Sequence, residues 1–299
     1  MPSESLIVPR RFLPAPFLVT LLGASGLLVA TNTAPPLPPW NVPSRAALLK
    51  QIPLPPARNS PEEKQDIAEV LKLQAAATPE QIALAKRDYH LSVFTFREVY
   101  GKTFTPKNFP KTAALFRQLN DVVERENAPL KNHFHRPHPF EVDPRVKRIV
   151  VAHPGYSYPS YHSARSVVFA NVLSLLDPSQ KGPLQRVARQ VEVDRALAGE
   201  HFPSDIHAGR KVGALVYASL MKDEAFRAAV KELKAAEWTP PPAPVKNMHI
   251  TMPSMAGEVM RAPSADESPH QSRMREPPPD TTHPTLPRWR GRSPLPPGP

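Results

Sequence analysis

The 299-residue chain contains no cysteine, which excludes disulfides, thiolate metal sites and cysteine-based zinc fingers but does not fix the compartment. Acidic residues are in deficit: 27 Asp and Glu stand against 38 Lys and Arg, a formal charge of +11 that favours anionic partners. Nucleic acid is not the favoured partner, because the basic residues are spread out and no Gly/aromatic platform accompanies them. No stretch shows sustained strand alternation bounded by turn signals, so no sheet is expected. An HExxH or carboxylate–histidine metal spacing is also missing. His133, His135 and His138 lie close enough to suggest a metal cluster, but the sequence assigns no metal and no cofactor.

Proline is abundant instead. The 41 prolines are concentrated at the two ends, so the folded part is expected to be much shorter than the chain, while 40% hydrophobic composition supports a globular core. Residues 1–34 read as a signal peptide. Arg10 and Arg11 precede the apolar run Phe17 to Ala30, which is short for a membrane span and ends among small residues. An uncleaved N-terminal anchor is the alternative, and the Arg pair hints at a twin-arginine signal. Residues 35–57 are proline-punctuated and predict an extended lead-in; residues 239–299, rich in proline and poor in large apolar side chains, predict a disordered tail.

Between these ends the periodicity is helical. Ser60-Pro61 with Glu63, and Thr78-Pro79 with Gln81, are capping signals that open two helices. Phe94, Phe96, Tyr100 and Phe104 form an aromatic segment expected to pack between helices. A helix is predicted from Pro110 to about Glu126, another from near Ser160 to the stop at Asp177-Pro178, and further ones over 184–200, 203–221 and 223–238. The folded region, residues 58–238, is therefore predicted all-α.

Three stretches carry chemistry. In DRALAGEHFPSDIHAG, Arg195, His201 and Asp205 combine a forked cation, an imidazole and a carboxylate one helical turn from it, a spacing suited to holding a histidine tautomer beside a phosphoryl group. Taken alone, that trio is more often a solvated helix end with an ion pair. In SYPSYHS, Pro159-Ser160 presents a capping hydroxyl and free first-turn N–H groups, and His162 sits where it could pass a proton to a leaving oxygen. A lone histidine there is more often structural. KNHFHRPHPF, residues 131–140, adds a lysine and further histidines at a helix end.

Together these stretches resemble the type 2 phosphatidic acid phosphatase and haloperoxidase superfamily, closest to the bacterial class A non-specific acid phosphatases. That family's pattern is Lys, six residues, Arg-Pro; then Pro-Ser-Gly-His; then Ser-Arg, five residues, His, three residues, Asp. Here Lys131 is followed after six residues by His138-Pro139; then come Pro159-Ser160-Tyr161-His162, and Asp194-Arg195 with His201 and Asp205 in register. The likeness extends through TPEQIALAK, FPKTAALFRQLNDVV and HFPSDIHAGRKVG.

The resemblance implies a compact helical bundle of the acid phosphatase/vanadium haloperoxidase type that binds phosphate without metal. It gives His201 as nucleophile, Asp205 as its orienting carboxylate and His162 as proton donor. Lys131, His138, Ser160, Tyr161 through its backbone N–H, and Arg195 would form the phosphate cradle. The expected protein is an exported, periplasmic or secreted acid phosphatase acting on small phosphate monoesters. It would have no nucleic-acid partner and no stable membrane span once the signal is removed, and a homo-oligomer is compatible with it. Three positions depart from the pattern: His138 for Arg, Tyr161 for Gly, Asp194 for Ser. Arg136-Pro137 offers an alternative arginine two residues early, but Pro129 would then take the lysine position. The departures keep two other readings open, a degenerate member that binds phosphorylated ligands without turnover and a vanadate-dependent haloperoxidase. Asp194 is expected to engage Arg195 or to face solvent.

Overall fold

The computed structural model describes residues 40–151 and 155–245, and within them the chain is all-α, with no strand. The expectations for a signal peptide and for most of the tail fall outside the described residues. Ten α-helices run in order: α1 (Arg45–Gln51), α2 (Pro61–Ala76), α3 (Pro79–Arg87), α4 (Arg97–Tyr100), α5 (Pro110–Phe134), α6 (Pro139–Val142), α7 (Tyr161–Leu176), α8 (Lys181–Leu197), α9 (Pro203–Leu220) and α10 (Glu224–Glu237). Among the described residues, no helix is long and apolar enough to cross a membrane.

Local signals set most helix starts. Thr78 Oγ1 accepts from Gln81 N at 3.3 Å while the Gln81 side chain accepts from Thr78 N at 2.9 Å, a reciprocal cap opening α3. Ser60 Oγ accepts from Glu63 N at 3.2 Å at the head of α2, but the Glu63 carboxylate turns to Asn59 N instead of closing a box. α5 has no such residue at its start. Its first amides, of Lys111 and Thr112, donate to the Glu237 carboxylate at 2.7 and 2.9 Å, so the end of α10 caps α5 across the fold.

Two stretches differ from expectation. The lead-in is not wholly extended: between Pro43 and Pro53 lies a proline-free run that forms α1, capped by Ser44 Oγ on Ala47 N at 3.2 Å, with Leu48 fully buried. Trp40 just before it packs edge-on against Phe226 of α10, ring centroids 5.2 Å apart. α5 passes through Pro129 and ends at Phe134, where His135 adopts φ 50°. Tertiary contacts hold that extra length: Leu130 is fully buried and Asn127 Nδ2 donates to Pro159 O at 3.2 Å.

α7 is the central helix. Val168, Ala170, Val172 and Leu173 are fully buried, and α8, α9 and α5 pack around it. Its contact with α9 is close because Gly209 and Gly213 face it. A Cβ at Gly209 would collide with the Ser160 carbonyl oxygen, and one at Gly213 with that of Ala164. This approach brings the first turn of α7 beside the first turn of α9. On the far side, Tyr100 and Phe104 meet Trp238, with centroids 5.2 and 5.8 Å away, as the aromatic segment predicts.

Candidate active site

The starts of α7 and α9, the end of α8 and the end of α5 converge on one cavity of about 640 Å³. Lys131, His138, Tyr161, His162, Arg195 and His201 all border it, as does Glu200. Three segments far apart in sequence thus meet there. The two helix starts are also tied through the backbone: Ser160 N donates to Asp205 O at 2.9 Å.

Arg195, in the last turn of α8, is fully buried, and none of Nε, Nη1 and Nη2 has a hydrogen-bond partner among the described residues. Burial pulls its pKa down, against the attraction of Glu200. Glu200 Oε2 stands 3.6 Å from Nη2, within ion-pair reach but too far for a hydrogen bond. The guanidinium face also lies 5.4 Å from the Tyr89 ring. A buried guanidinium with no hydrogen-bond partner is costly, and a tetrahedral oxyanion is the ligand its forked donors fit.

Lys131 Nζ donates to the carbonyls of Tyr156 and Ser157, the latter at 3.2 Å. Burial lowers it to about 8, and the field of Arg195 opposes the help it receives from Asp205 and Glu200. His138 is buried, and its Nδ1 donates to Glu200 O at 2.6 Å, which leaves Nε2 as the second ring nitrogen. The ring stands 5.9 Å from that of His201, centroid to centroid. His133 and His135 do not join it: both are exposed, packing edge-on against Phe134 and Tyr156.

His201 immediately precedes α9 and is buried to 4% exposure. Burial drives its pKa down to about 3, with Asp205 opposing and Lys131 adding to the fall, so at neutral pH the ring is uncharged and keeps a lone pair. Its Nδ1 lies 3.5 Å from Asp205 Oδ2, too long for a formed hydrogen bond but near enough for the carboxylate to favour a proton on that nitrogen. Asp205 is held from two further sides. Oδ2 accepts from Phe202 N at 2.9 Å, Oδ1 accepts from Arg136 Nη1 at 2.6 Å, and Ser204 and Asp66 complete the cluster around the same guanidinium. Burial alone would raise this carboxyl, but Arg136 and His201 outweigh it and keep it below the usual carboxylate range.

His162, in the first turn of α7, places Nε2 3.1 Å from Tyr89 O; a carbonyl only accepts, so Nε2 carries the proton. Burial, Arg195 and Arg165 hold its pKa well below the ordinary value. Tyr161 has ordinary helical backbone, so the glycine of the family pattern is not needed here for its conformation. The tyrosine ring is turned aside: its hydroxyl donates to Asn120 Oδ1 at 2.9 Å and Arg165 lies over its face at 4.7 Å. Ser160 caps α7, its Oγ accepting from Ser163 N at 3.3 Å and from Ser163 Oγ at 3.0 Å, and it lies behind the cavity wall, outside the residues that border the cavity. Asp194 does not face solvent. It is fully buried behind Arg195, accepts from Gln190 Nε2 at 2.8 Å, and burial together with the nearby Asp88 raises its pKa well above the usual range.

Residues 119–227 match the model of the PAP2 superfamily, a span that contains every candidate site residue. The chain is 28% identical over 219 residues to a protein named non-specific acid phosphatase from Salmonella typhi, covering 70% of this chain and 88% of the relative. A protein of the same name from Salmonella typhimurium is 28% identical over 192 residues, 61% of this chain and 77% of the relative. Among solved structures, a transmembrane PAP2-type phosphatidylglycerolphosphate phosphatase from Bacillus subtilis overlays with a TM-score of 0.39 at 20% identity, covering 55% of this chain and 87% of that one.

Several residues in and behind the cavity escape the motif. Arg136 stands out in the sequence only as a rival phosphate ligand, whereas the structure puts it behind Asp205. Asn120, Arg165 and Tyr89 have no signal in the sequence; Glu200 differs only in being a charged residue beside His201.

Proposed function

We propose that this PAP2-domain protein is an exported acid phosphatase that hydrolyses phosphate monoesters through a phosphohistidine at residue 201. The observation that carries the reading is the buried Arg195 guanidinium, without hydrogen-bond partners, bordering one cavity with an uncharged His201 that Asp205 backs. The names of the two Salmonella relatives support the same activity. Export rests on the basic and apolar N-terminal sequence alone.

In this reading Arg195 and Lys131 supply positive charge to the phosphoryl oxygens, with the His138 ring and first-turn amides of α7 beside them, so positioning and charge neutralisation do most of the catalytic work. The His201 lone pair attacks phosphorus, a P–N bond forms, and the P–O bond to the leaving group breaks. His162 gives that alkoxide its proton. Burial and the fields of Arg195 and Arg165 keep His162 neutral, and an arriving phosphoryl dianion offsets those fields, so substrate binding brings the proton with it. Water then attacks phosphorus, His162 takes its proton, and the P–N bond breaks to release phosphate and free His201.

A single assay tests the reading: hydrolysis of p-nitrophenyl phosphate by the wild type in the presence of EDTA, beside His201→Ala. The expected result is metal-independent turnover in acid that the variant loses. Tight phosphate binding with no turnover would favour the second reading, a ligand-binding member of the family, for which the Glu200 carboxylate beside Arg195 is the motive.

A further inference from the structure

One anion already stands in this anion site. Glu200 is 1% exposed and borders the cavity; its Oε2 is 3.6 Å from Arg195 Nη2, and its Oε1 has no hydrogen-bond partner among the described residues. It cannot swing far. Its neighbour in sequence is His201, and its own carbonyl accepts the His138 Nδ1–H at 2.6 Å. The charges that reach its carboxylate come from every side: Arg195 of α8, Lys131 of α5, and His138 and Arg148 from the segments flanking α6. Glu124 of α5 borders the same cavity from an exposed position, uncharged His201 and His162 lie in its walls, and Arg165, His90, Tyr89, Tyr156 and Tyr161 border it as well.

The same guanidinium therefore has two suitors, a protein carboxylate and a phosphoryl group. An ionised carboxylate only accepts hydrogen bonds and repels a second anion; a neutral carboxyl has an O–H to donate. We propose that Glu200 sets the protonation state in which the site admits a phosphoryl group. Protonated, it donates to a phosphoryl oxygen and leaves Arg195 to the ligand; ionised, it holds Arg195 and excludes the oxyanion. Burial raises this carboxyl above its ordinary range despite Arg195, Lys131 and Arg148 around it, which moves the exchange to higher pH than a free carboxyl would give. The inference rests on the phosphatase reading and adds to it a built-in reason for acid preference.

The test uses inorganic phosphate, both as a competitive inhibitor and by calorimetry, on the wild type, Glu200→Gln and Glu200→Ala. Glutamine keeps the shape and an N–H donor but cannot ionise. Phosphate's own titration is common to all three proteins and cancels in the ratio of affinities. At about pH 8, Glu200→Gln is expected to bind phosphate at least roughly tenfold tighter than the wild type, the difference closing to about twofold near pH 5. Glu200→Ala is expected to gain at alkaline pH and to lose in acid, where the donated hydrogen bond is missing. A ratio that does not change with pH, or glutamine binding more weakly throughout, would overturn the assignment and make Glu200 a structural partner of Arg195. If the ratio is flat while turnover is normal, only this inference falls; if the wild type binds no phosphate at any pH, the phosphatase reading falls with it.

Discussion

Arg136 Nη1 donates to Asp205 Oδ1 at 2.6 Å inside the protein, and the other oxygen of that carboxylate is the one facing His201. The pair spans 69 residues of sequence and joins the end of α5 to the start of α9. Asp66 of α2 closes the far side, accepting from Arg136 Nη2 at 3.0 Å and from Ser204 N at 3.2 Å. The histidine read as the nucleophile is thus held by a buried network whose outer members never touch the cavity.

Removing Arg136 leaves Asp205 charged, buried and without its main partner. Arg136→Ala is expected to cost about 3–5 kcal/mol of stability, the usual penalty for breaking a buried pair. Arg136→Lys, which keeps the charge but not the fork, should recover part of it. Urea unfolding gives the stability, and the acid limb of the kcat profile reports whether the carboxylate still holds His201. An unchanged midpoint would mean that the pair contributes nothing.

Stability against pH isolates His201. Its folded pKa, about 3, lies below the ordinary value of 6.5, so the unfolded chain binds the extra proton between these limits. The native state therefore loses stability as pH falls through that window, by ~1.4 kcal/mol for each pH unit crossed. His201→Asn removes this titration. The variant is expected to become progressively more stable than the wild type, on the order of a few kcal/mol, as pH drops from 6.5 toward 3. Asp205, held low, loses its contribution only below the ordinary carboxylate range, and raised acids such as Asp194 and Glu192 act in the opposite direction, toward higher pH. A flat difference between the two proteins would contradict the burial assigned to this ring.

Arg195 separates function from stability. A buried guanidinium without hydrogen bonds is a liability to the fold and an asset to an oxyanion. In a Glu200→Gln background, where no buried carboxylate is left unpaired, Arg195→Met is expected to unfold at the same urea concentration as Glu200→Gln alone or a higher one, while phosphate inhibition disappears. A large loss of stability would instead make Arg195 a structural residue.

The close approach of α7 and α9 is sensitive to one carbon atom. Gly213→Ala puts a methyl group against the Ala164 carbonyl and the Val167 side chain, away from the cavity. It is expected to cost about 1–3 kcal/mol through overpacking and to lower kcat by moving His162 relative to His201. Full activity and stability in this variant would mean that the interface gives way without disturbing the site.

Legibility in the sequence followed range. The start of α3 is written in Thr78 and Gln81, and the one-turn separation of His201 and Asp205 follows from helix geometry, so both can be read locally. α1 was hidden because flanking prolines dominate its composition, and the end of α5 because Pro129 suggests a stop that the packing of Leu130 and Asn127 overrides. The burial of Asp194, the turning aside of Tyr161 by Asn120, and the claim of Asp205 on Arg136 depend on partners 40 or more residues away or on burial, which no local pattern encodes. His138 took its place on the cavity wall for a similar reason, its ring fixed by the Glu200 carbonyl from across the fold.

The most direct measurement is a rapid alkaline quench of the wild type with phosphorus-labelled p-nitrophenyl phosphate, followed by peptide mapping. The account gives label as phosphohistidine at residue 201, formed and lost at rates that match turnover, and absent from His201→Ala. Label at another residue, or turnover that persists in His201→Ala, would contradict it.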